Sequence, residues 1–323
     1  MASPSPRALD PRHRVSSRRY MVRRIGALVV VGAAVAAGLR LGGVLFGADD
    51  TAADSGAADA TSLAVEPSVS GELSTTSVAV SSSSPSSTVP VPAESPVPTA
   101  ADPAVVLIAG DSEAGTFGPY LETILNETGV VRTELDYKVS SGLARPDFFD
   151  WPAHLESVIP TAAPDIVVIT FGGNDGQGLS DTSGNFLFGQ PSGDDGADDE
   201  WRAEYGRRVA EVMEFLAADG RTLIWVGIPN DDSPDVTARM RVQDEVAREQ
   251  AAAHPGVVFI DTWKRFSGIS GNWAEYVIDP RDGQGKDVRA DDGFHLNQAG
   301  AEILALDIAE AVRADLVERG ATL

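Results

Sequence analysis

The sequence predicts an α/β domain with a central parallel sheet that helices cover on both faces. Short apolar runs alternate with longer helix-type segments throughout residues 104–323, a pattern typical of parallel strands joined by crossover helices. This region also has the length of one ordinary domain with a sizeable core. The predicted strands are 105–109, 134–139, 166–171, 223–227 and 257–260, and the predicted helices are 119–127, 153–158, 200–218, 236–253 and 297–318.

The chain begins with a basic arm and an apolar segment. Residues 1–24 contain seven arginines and one aspartate, and residues 25–48 are apolar apart from Arg40. The fifteen apolar residues before Arg40 suit the core of a signal peptide, whereas the whole of 25–48 is long enough to span a membrane as one tilted helix. The arginines place the N-terminus in the cytoplasm in either case. We expect an extracytoplasmic domain, either anchored by a single transmembrane helix or secreted after cleavage of the signal.

A low-complexity segment separates the apolar segment from the domain. Residues 49–103 are rich in Ala, Ser, Thr and Pro. Such a segment buries too little apolar surface to offset the entropy lost on ordering. We therefore expect a disordered stalk that holds the domain away from the membrane.

Composition and charge exclude several classes of function. The chain has no cysteine, so it has neither a disulfide framework nor a thiol nucleophile. Its net charge is −23, and residues 104–323 carry 17 Lys and Arg against 39 Asp and Glu. Because so acidic a domain repels phosphate groups, we expect no nucleic acid as a partner, and a substrate that is neutral or that reaches a locally shielded pocket.

A serine at the end of the first predicted strand is the candidate nucleophile. The apolar run 105–109 leads into Gly110, Asp111 and Ser112, and a helix-like segment follows. Such a junction holds a side chain at the carboxyl edge of the sheet, where open α/β folds bind ligands. A serine hydroxyl needs a neighbouring base to act as a nucleophile. The alternative is a serine that only caps the following helix.

The candidate base lies near the end of the chain. His295 follows Asp292 by three residues across a turn, and a helix begins just after it. An aspartate at this spacing can orient an imidazole and stabilise its protonated form. Asp291 is the alternative partner of His295 if the turn has another shape. The alternative for His295 itself is a surface histidine in a loop, without a catalytic role.

Two more strand ends provide candidate hydrogen-bond donors. Asn174 follows two glycines after the third predicted strand, and its side-chain amide suits a developing oxyanion. Gly142 follows the second predicted strand, and its backbone N–H suits the same task. Both residues are also common in turns without any catalytic role.

Four short motifs, in this order, resemble those of a known enzyme family. Gly110-Asp111-Ser112, Gly142, Gly172-x-Asn174-Asp175 and Asp292-x-x-His295 are similar to the four sequence blocks of SGNH (GDSL-type) hydrolases. Residues 140–152 further resemble a membrane-anchored bacterial subgroup, the DUF459-type SGNH proteins. The resemblance extends over about residues 104–318. It implies a flavodoxin-like three-layer α/β/α sandwich with strand order 2-1-3-4-5 and neither a metal nor an organic cofactor.

The resemblance also implies a role for each motif residue. Ser112 would be the nucleophile, and His295 would be the general base that Asp292 orients. The oxyanion hole would consist of the backbone N–H groups of Ser112 and Gly142 and the side-chain amide of Asn174.

One residue departs from the family pattern. Glu113 stands where the family usually has a leucine after the serine. Its carboxylate would raise the pKa of His295 and slow the attack, contact the substrate, or simply point to solvent, and the sequence leaves all three open.

The segment after Gly142 contains the candidate substrate-binding residues. Arg145, Asp147 and Trp151 are placed to line a cleft, although an Arg–Asp ion pair and a core tryptophan that fix the loop are an equal alternative. Two long segments, 176–199 and 263–291, read as irregular. The acidic clusters 194–195 and 198–200, in and next to the first segment, lack the regular ligand spacing of a calcium site, so we expect a solvated flap there and no metal.

These patterns together predict a serine esterase, a carboxylic-ester hydrolase that forms an acyl-enzyme on Ser112. An extracytoplasmic domain favours O-acyl esters of cell-envelope glycans or lipids as substrates. The alternatives are an O-acyltransferase that uses the same mechanism and a non-catalytic glycan-binding domain on the same fold.

Overall fold

The structure is a computed structural model that describes residues 96–194 and 196–323. Its elements in chain order are β1 Ala104–Gly110, α1 Ser112–Asn126, β2 Val131–Tyr137, α2 Trp151–Ala162, β3 Ile166–Thr170, β4 Leu179–Ser180, β5 Phe186–Phe188, α3 Asp199–Leu216, β6 Thr222–Val226, α4 Pro234–Ala253, β7 Val257–Ile260, α5 Thr262–Arg265, β8 Tyr276–Ile278, β9 Gly285–Asp287 and α6 Gln298–Glu318. Short 3₁₀ turns occupy Gly173–Asp175 and Ala218–Gly220.

Five of these strands form one parallel sheet in the order β2-β1-β3-β6-β7. Since β6 and β7 are the fourth and fifth strands of the sheet along the chain, the expected order 2-1-3-4-5 is confirmed. The chain runs from β1 outward to β2 and then returns to β3 on the other side of β1. Such a reversal opens a crevice at the carboxyl ends of the two strands, where ligands bind in sheets of this type.

Alternate residues of the central strands face two separate apolar cores. In β1, Val106 and Ile108 belong to the core under α1 and α6, whereas Leu107 and Ala109 belong to the core under α2, α3 and α4. All four side chains are at most 1% exposed. A strand buried on both faces therefore separates two helical layers, and the predicted three-layer α/β/α sandwich is confirmed.

Helix α1 begins at Ser112, although the sequence predicted a helix only from residue 119. Gly115 and Gly118 obscured this start because glycine is a weak helix former. Both glycines let the helix approach β2 closely. A Cβ on either would lie 2.6 Å from a β2 side chain, that of Tyr137 or Leu135.

The two segments expected to be irregular contain short hairpins. β4 pairs with β5 in the first segment, and β8 pairs with β9 in the second, both antiparallel. Strands of two or three residues are too short to show an alternating pattern in the sequence. The single-turn helix α5 overlaps the start of the second segment.

The basic arm, the apolar segment 25–48 and most of the stalk lie outside the described residues, so their predictions stay predictions. The last residues of the predicted stalk are described. Pro98 is buried, and a Cβ on Gly320 would lie 3.4 Å from Val97, so this end of the stalk packs on the domain. Within the described part of the chain, no helix combines the length and apolarity needed to cross a membrane.

Candidate active site

Ser112 lies at the carboxyl edge of the sheet, at the start of α1. The preceding Gly110 has a φ of +138°, and a Cβ there would lie 2.1 Å from the Thr170 carbonyl oxygen, so only glycine fits this turn. Asp111 caps the helix by accepting the backbone N–H of Glu113 at 2.9 Å. The tight turn leaves Ser112 half-buried at the edge of β1.

Ser112, His295 and Asp292 form one chain of hydrogen bonds. Ser112 Oγ lies 2.8 Å from His295 Nε2, and His295 Nδ1 lies 2.6 Å from Asp292 Oδ2. Because Nδ1–H donates to the carboxylate, Nε2 of the neutral ring is left to accept the serine proton. Of the two aspartates considered from the sequence, Asp292 is the one that occupies the position on Nδ1.

A tight turn fixes Asp292 under the imidazole. Its Oδ1 accepts the backbone N–H groups of Phe294 at 3.1 Å and His295 at 3.0 Å. The hydrogen bond from His295 holds the pKa of Asp292 down at about 2. The same bond is the main cause that raises the pKa of His295 to about 8. The arrangement therefore favours the imidazolium that forms when the ring takes a proton.

Asp111 joins the ends of β1 and β3, a role that the sequence reading missed. Its Oδ2 accepts the backbone N–H of Gly172 at 2.6 Å and the side-chain amide of Asn174 at 3.3 Å. Burial raises its pKa to about 6 against these hydrogen bonds. A Cβ on Gly172 would lie 2.8 Å from this carboxylate, which explains the glycine after β3. The only signal in the sequence was the cap position of an aspartate between strand and helix.

Asn174 lies between two of the strand ends. Its amide nitrogen donates to Asp111 Oδ2 at 3.3 Å and to the Ser141 carbonyl at 3.2 Å. Both distances are at the long end for N–H···O bonds. The structure thus brings this amide to the carboxyl edge of the sheet, and its role as an oxyanion donor stays a prediction.

Gly142 belongs to a loop that is organised by Asp175. The Asp175 carboxylate accepts the backbone N–H groups of Leu143 at 2.7 Å and Ala144 at 2.9 Å, and the Tyr205 hydroxyl at 2.9 Å. These bonds hold the stretch that directly follows Gly142. Asp175 is fully buried, and burial raises its pKa to about 7. Asp175 belongs to the third sequence motif, which by itself predicted no role for this carboxylate.

We expect Gly142→Ala to weaken this loop. A Cβ at this position would lie 2.0 Å from Asp175 Oδ1, so the carboxylate or the loop would have to move. Overpacking of this kind costs about 1–3 kcal/mol of unfolding free energy. Urea unfolding of both proteins measures the difference. Gly189→Ala is the matched control, because a Cβ on Gly189 would meet no atom within 4 Å. Equal stability of the Gly142→Ala variant and the parent would contradict the packing described here.

The predicted substrate-binding residues have other contacts. Trp151 is 0% exposed and its Nε1 donates to Ser141 Oγ at 2.8 Å, so it packs in the core under the loop, and its role in substrate binding stays a prediction. Arg145 forms a bidentate ion pair with Asp147, with N···O distances of 2.8 and 2.7 Å. Ser180 Oγ also donates to Asp147. The alternative reading, an ion pair and a core tryptophan that fix the loop, describes these contacts.

No group of three or more His, Cys, Asp or Glu side chains that could hold a metal ion occurs in the described residues. In the acidic segment before α3, Asp198 accepts the backbone N–H groups of Ser192 at 2.8 Å and Gly193 at 2.7 Å. Asp198 therefore closes a turn of this segment.

The chain is similar to several solved structures and matches one family profile. The chain is similar to the solved structure of a catalytic mutant of an acetylxylan esterase from Geobacillus stearothermophilus, with 16% identity, coverage of 65% of this chain and 94% of that chain, and a TM-score of 0.45. It is also similar to a GDSL-like lipase from Bacteroides thetaiotaomicron, with 15% identity, coverage of 68% and 92%, and a TM-score of 0.44. A third is an alpha/beta hydrolase enzyme from the metagenome of Lake Arreo, Spain, with 17% identity, coverage of 65% and 95%, and a TM-score of 0.43.

The search of curated proteins gave no match. One family profile, described as a protein of unknown function (DUF459), matches residues 105–311. This range is more than half of the chain and includes all four motifs. The chain therefore belongs to the DUF459 family.

Proposed function

We propose that this protein is a serine esterase. The observation that carries the proposal is the chain of hydrogen bonds from Ser112 Oγ through His295 to Asp292, with heavy-atom distances of 2.8 and 2.6 Å. A serine, a base within hydrogen-bond reach and a carboxylate that orients the base are the parts that acyl transfer requires. Their place at the reversal of the strand order is where a ligand has access to them.

The geometry supports a two-step reaction. His295 Nε2 takes the proton of Ser112 as Oγ attacks the ester carbonyl, and Asp292 stabilises the resulting imidazolium. The imidazolium then gives this proton to the leaving alkoxide, and the acyl group stays on Ser112. A water molecule, deprotonated by His295, releases the carboxylic acid and restores the serine.

In this proposal, three N–H donors stabilise the negative charge that develops on the ester carbonyl oxygen when Ser112 attacks. The N–H of Ser112 is at the first turn of α1, where backbone donors lack intrahelical partners and the helix dipole favours negative charge. The N–H of Gly142 comes from the loop that Asp175 holds, and the amide of Asn174 comes from the end of β3. Each such donor is worth about 3 kcal/mol in the transition state of related reactions.

Ester hydrolysis should rise with pH and level off above about 8. Only the neutral form of His295 accepts the serine proton, and the hydrogen bond to Asp292 raises its pKa to about 8. Activity at pH 6 should thus be roughly 1% of the plateau, since each pH unit below the pKa lowers the neutral fraction about tenfold. The pH profile of kcat/KM for p-nitrophenyl acetate measures this. A profile that is flat from pH 6 to 9 would contradict the assignment of His295 as base.

We further propose an extracytoplasmic location and neutral O-acyl esters of envelope glycans or lipids as substrates. The acidic composition of residues 104–323 and the apolar segment 25–48 support this.

A cavity of about 380 Å³ borders Gly142 and is lined in part by Leu143, Pro146 and Leu187. It offers room for a substrate part larger than an acetyl group.

A panel of esters tests the function and its substrate class. The panel comprises p-nitrophenyl acetate, butyrate and octanoate and an O-acetylated polysaccharide, with free acid measured as product. Turnover of at least one ester is expected, and the preferred acyl length defines the class. Formation of a new ester in the presence of a sugar acceptor would identify the transferase variant. No turnover of any ester, with glycan binding retained, would favour the non-catalytic alternative.

A further inference from the structure

Glu113 is a buried carboxyl group beside the catalytic serine. It is 2% exposed, and neither carboxyl oxygen has a hydrogen-bond partner among the described residues. The expectation that its side chain simply points to solvent is therefore wrong. A buried polar group without a partner costs free energy, so a stability role alone does not explain this residue.

Within the described residues, a buried cation in the same part of the fold also has no carboxylate bonded to it. Arg289 is 6% exposed, and its guanidinium donates to the carbonyls of Ala274, Asn230, Phe294 and Phe266 and to Asn230 Oδ1, all of them neutral oxygens. Its bond to the Phe294 carbonyl ties it to the residue before His295. Among the carboxylates whose charge favours the protonated form of Arg289, Glu113 has the largest effect.

Glu113 directly follows Ser112, whose Oγ lies 2.8 Å from His295 Nε2, and Arg289 is bonded to the residue before His295. The fold therefore brings the buried carboxyl group close to the catalytic ring. The charged groups that act on Glu113 are His295, Asp111, Arg289 and Asp292. Asp111 lies at the end of β1, and the other three lie in the segment before α6. Asp231, after β6, acts on Arg289.

We propose that Glu113 is a positioning residue that sets the proton affinity of His295, with Arg289 as the distant counter-charge. This inference rests on the proposed function of the site. Of the three roles that the sequence left open, it selects the first: the carboxyl group acts on the pKa of His295 and does not contact the substrate.

The sign of the effect follows from the charges. An ionised Glu113 stabilises the imidazolium of His295, and a protonated Glu113 does not. Burial raises the pKa of Glu113 well above that of an ordinary glutamate, so its proton is lost in the same alkaline range in which His295 becomes neutral. The two groups therefore titrate as a coupled pair: ionised Glu113 raises the pKa of His295, whereas the imidazolium of His295 lowers the pKa of Glu113.

NMR titration of the histidine rings tests the proposal without requiring any ester hydrolysis. The full chain is labelled with ¹⁵N-histidine, and the His295 signal is assigned by its loss in His295→Ala. Glu113→Gln should lower the pKa of His295 by at least about 0.5 unit, since removal of a nearby opposite charge lowers the pKa of a base. The pH profile of kcat/KM should move to lower pH by the same amount.

Two further variants keep the test decisive. Glu113→Leu fills the same space without a charge and should give the same shift with an unchanged or higher Tm, because replacing a buried charge by an apolar side chain is often neutral or stabilising. Glu122→Gln makes the same exchange on the same helix, about 13 Å along its axis, and should leave His295 unchanged. An unchanged pKa of His295 in folded Glu113→Gln and Glu113→Leu would overturn the proposal. Absence of ester hydrolysis in the parent would instead overturn the function, while the titration would still measure the coupling.

Discussion

Replacing Ser112 by alanine is expected to lower kcat/KM for an activated ester by about 10³-fold or more. The variant keeps the helix start and the fold, because the cap of α1 comes from Asp111 and not from Ser112. It loses only the hydroxyl that bonds to His295 Nε2. Steady-state hydrolysis of p-nitrophenyl acetate by the two purified proteins measures the loss.

Two companion variants make this result specific to the triad. His295→Ala should cost about as much as Ser112→Ala, and the double variant should cost no more than either single one, because the residues act as a unit. Ser157→Ala is the matched control, since its hydroxyl only donates to the His154 carbonyl on α2. Retained activity in Ser112→Ala, or additive losses in the double variant, would argue against nucleophilic catalysis by this serine.

Replacing Asp175 by alanine is expected to lower the free energy of unfolding by about 3 kcal/mol or more. The carboxylate is the acceptor for the N–H groups of Leu143 and Ala144 and for the Tyr205 hydroxyl. Each donor left unsatisfied in the interior costs about 1–3 kcal/mol. Urea-induced unfolding, followed by tryptophan fluorescence, measures the change.

The Asp175 variant should also lose activity in its folded state. The N–H of Gly142 is held in place by the loop that Asp175 fixes, so a loosened loop weakens the proposed oxyanion hole. Asp235→Ala on the exposed first turn of α4 is the control and should change stability by less than about 1 kcal/mol. If Asp175→Ala and Asp235→Ala have the same stability, Asp175 does not organise the loop.

The sequence predicted the sheet because its central strands are uniform apolar runs. Residues such as Val106, Leu107 and Ile108 are buried on both faces, and no competing pattern overlaps them. The start of α1 was not predicted because Gly115, Gly118 and Pro119 are all typical helix breakers. In the structure, the two glycines allow α1 to pack closely on β2. The hairpins of β4 with β5 and β8 with β9 have too few residues to form a recognisable period.

The predicted triad residues are brought together in the structure, whereas the roles of the buried carboxylates were missed. Motif order along the chain identifies residues at strand ends, and parallel strands place those ends at one edge. Hydrogen bonds from backbone N–H groups to Asp111 and Asp175 depend on loop conformation, which no local pattern in the sequence encodes. The burial of Trp151 and Glu113 likewise depends on how the loop and the first turn of α1 face the core.

Covalent trapping of Ser112 tests the central claim most directly. The full chain is treated with a fluorophosphonate at pH 8, where about half of His295 is neutral, and the modified peptide is identified by mass spectrometry. We expect one adduct per chain, on Ser112, and a rate of labelling that falls sharply in His295→Ala. An unlabelled Ser112 in the folded parent, or labelling that does not depend on His295, would contradict a serine nucleophile activated by this histidine.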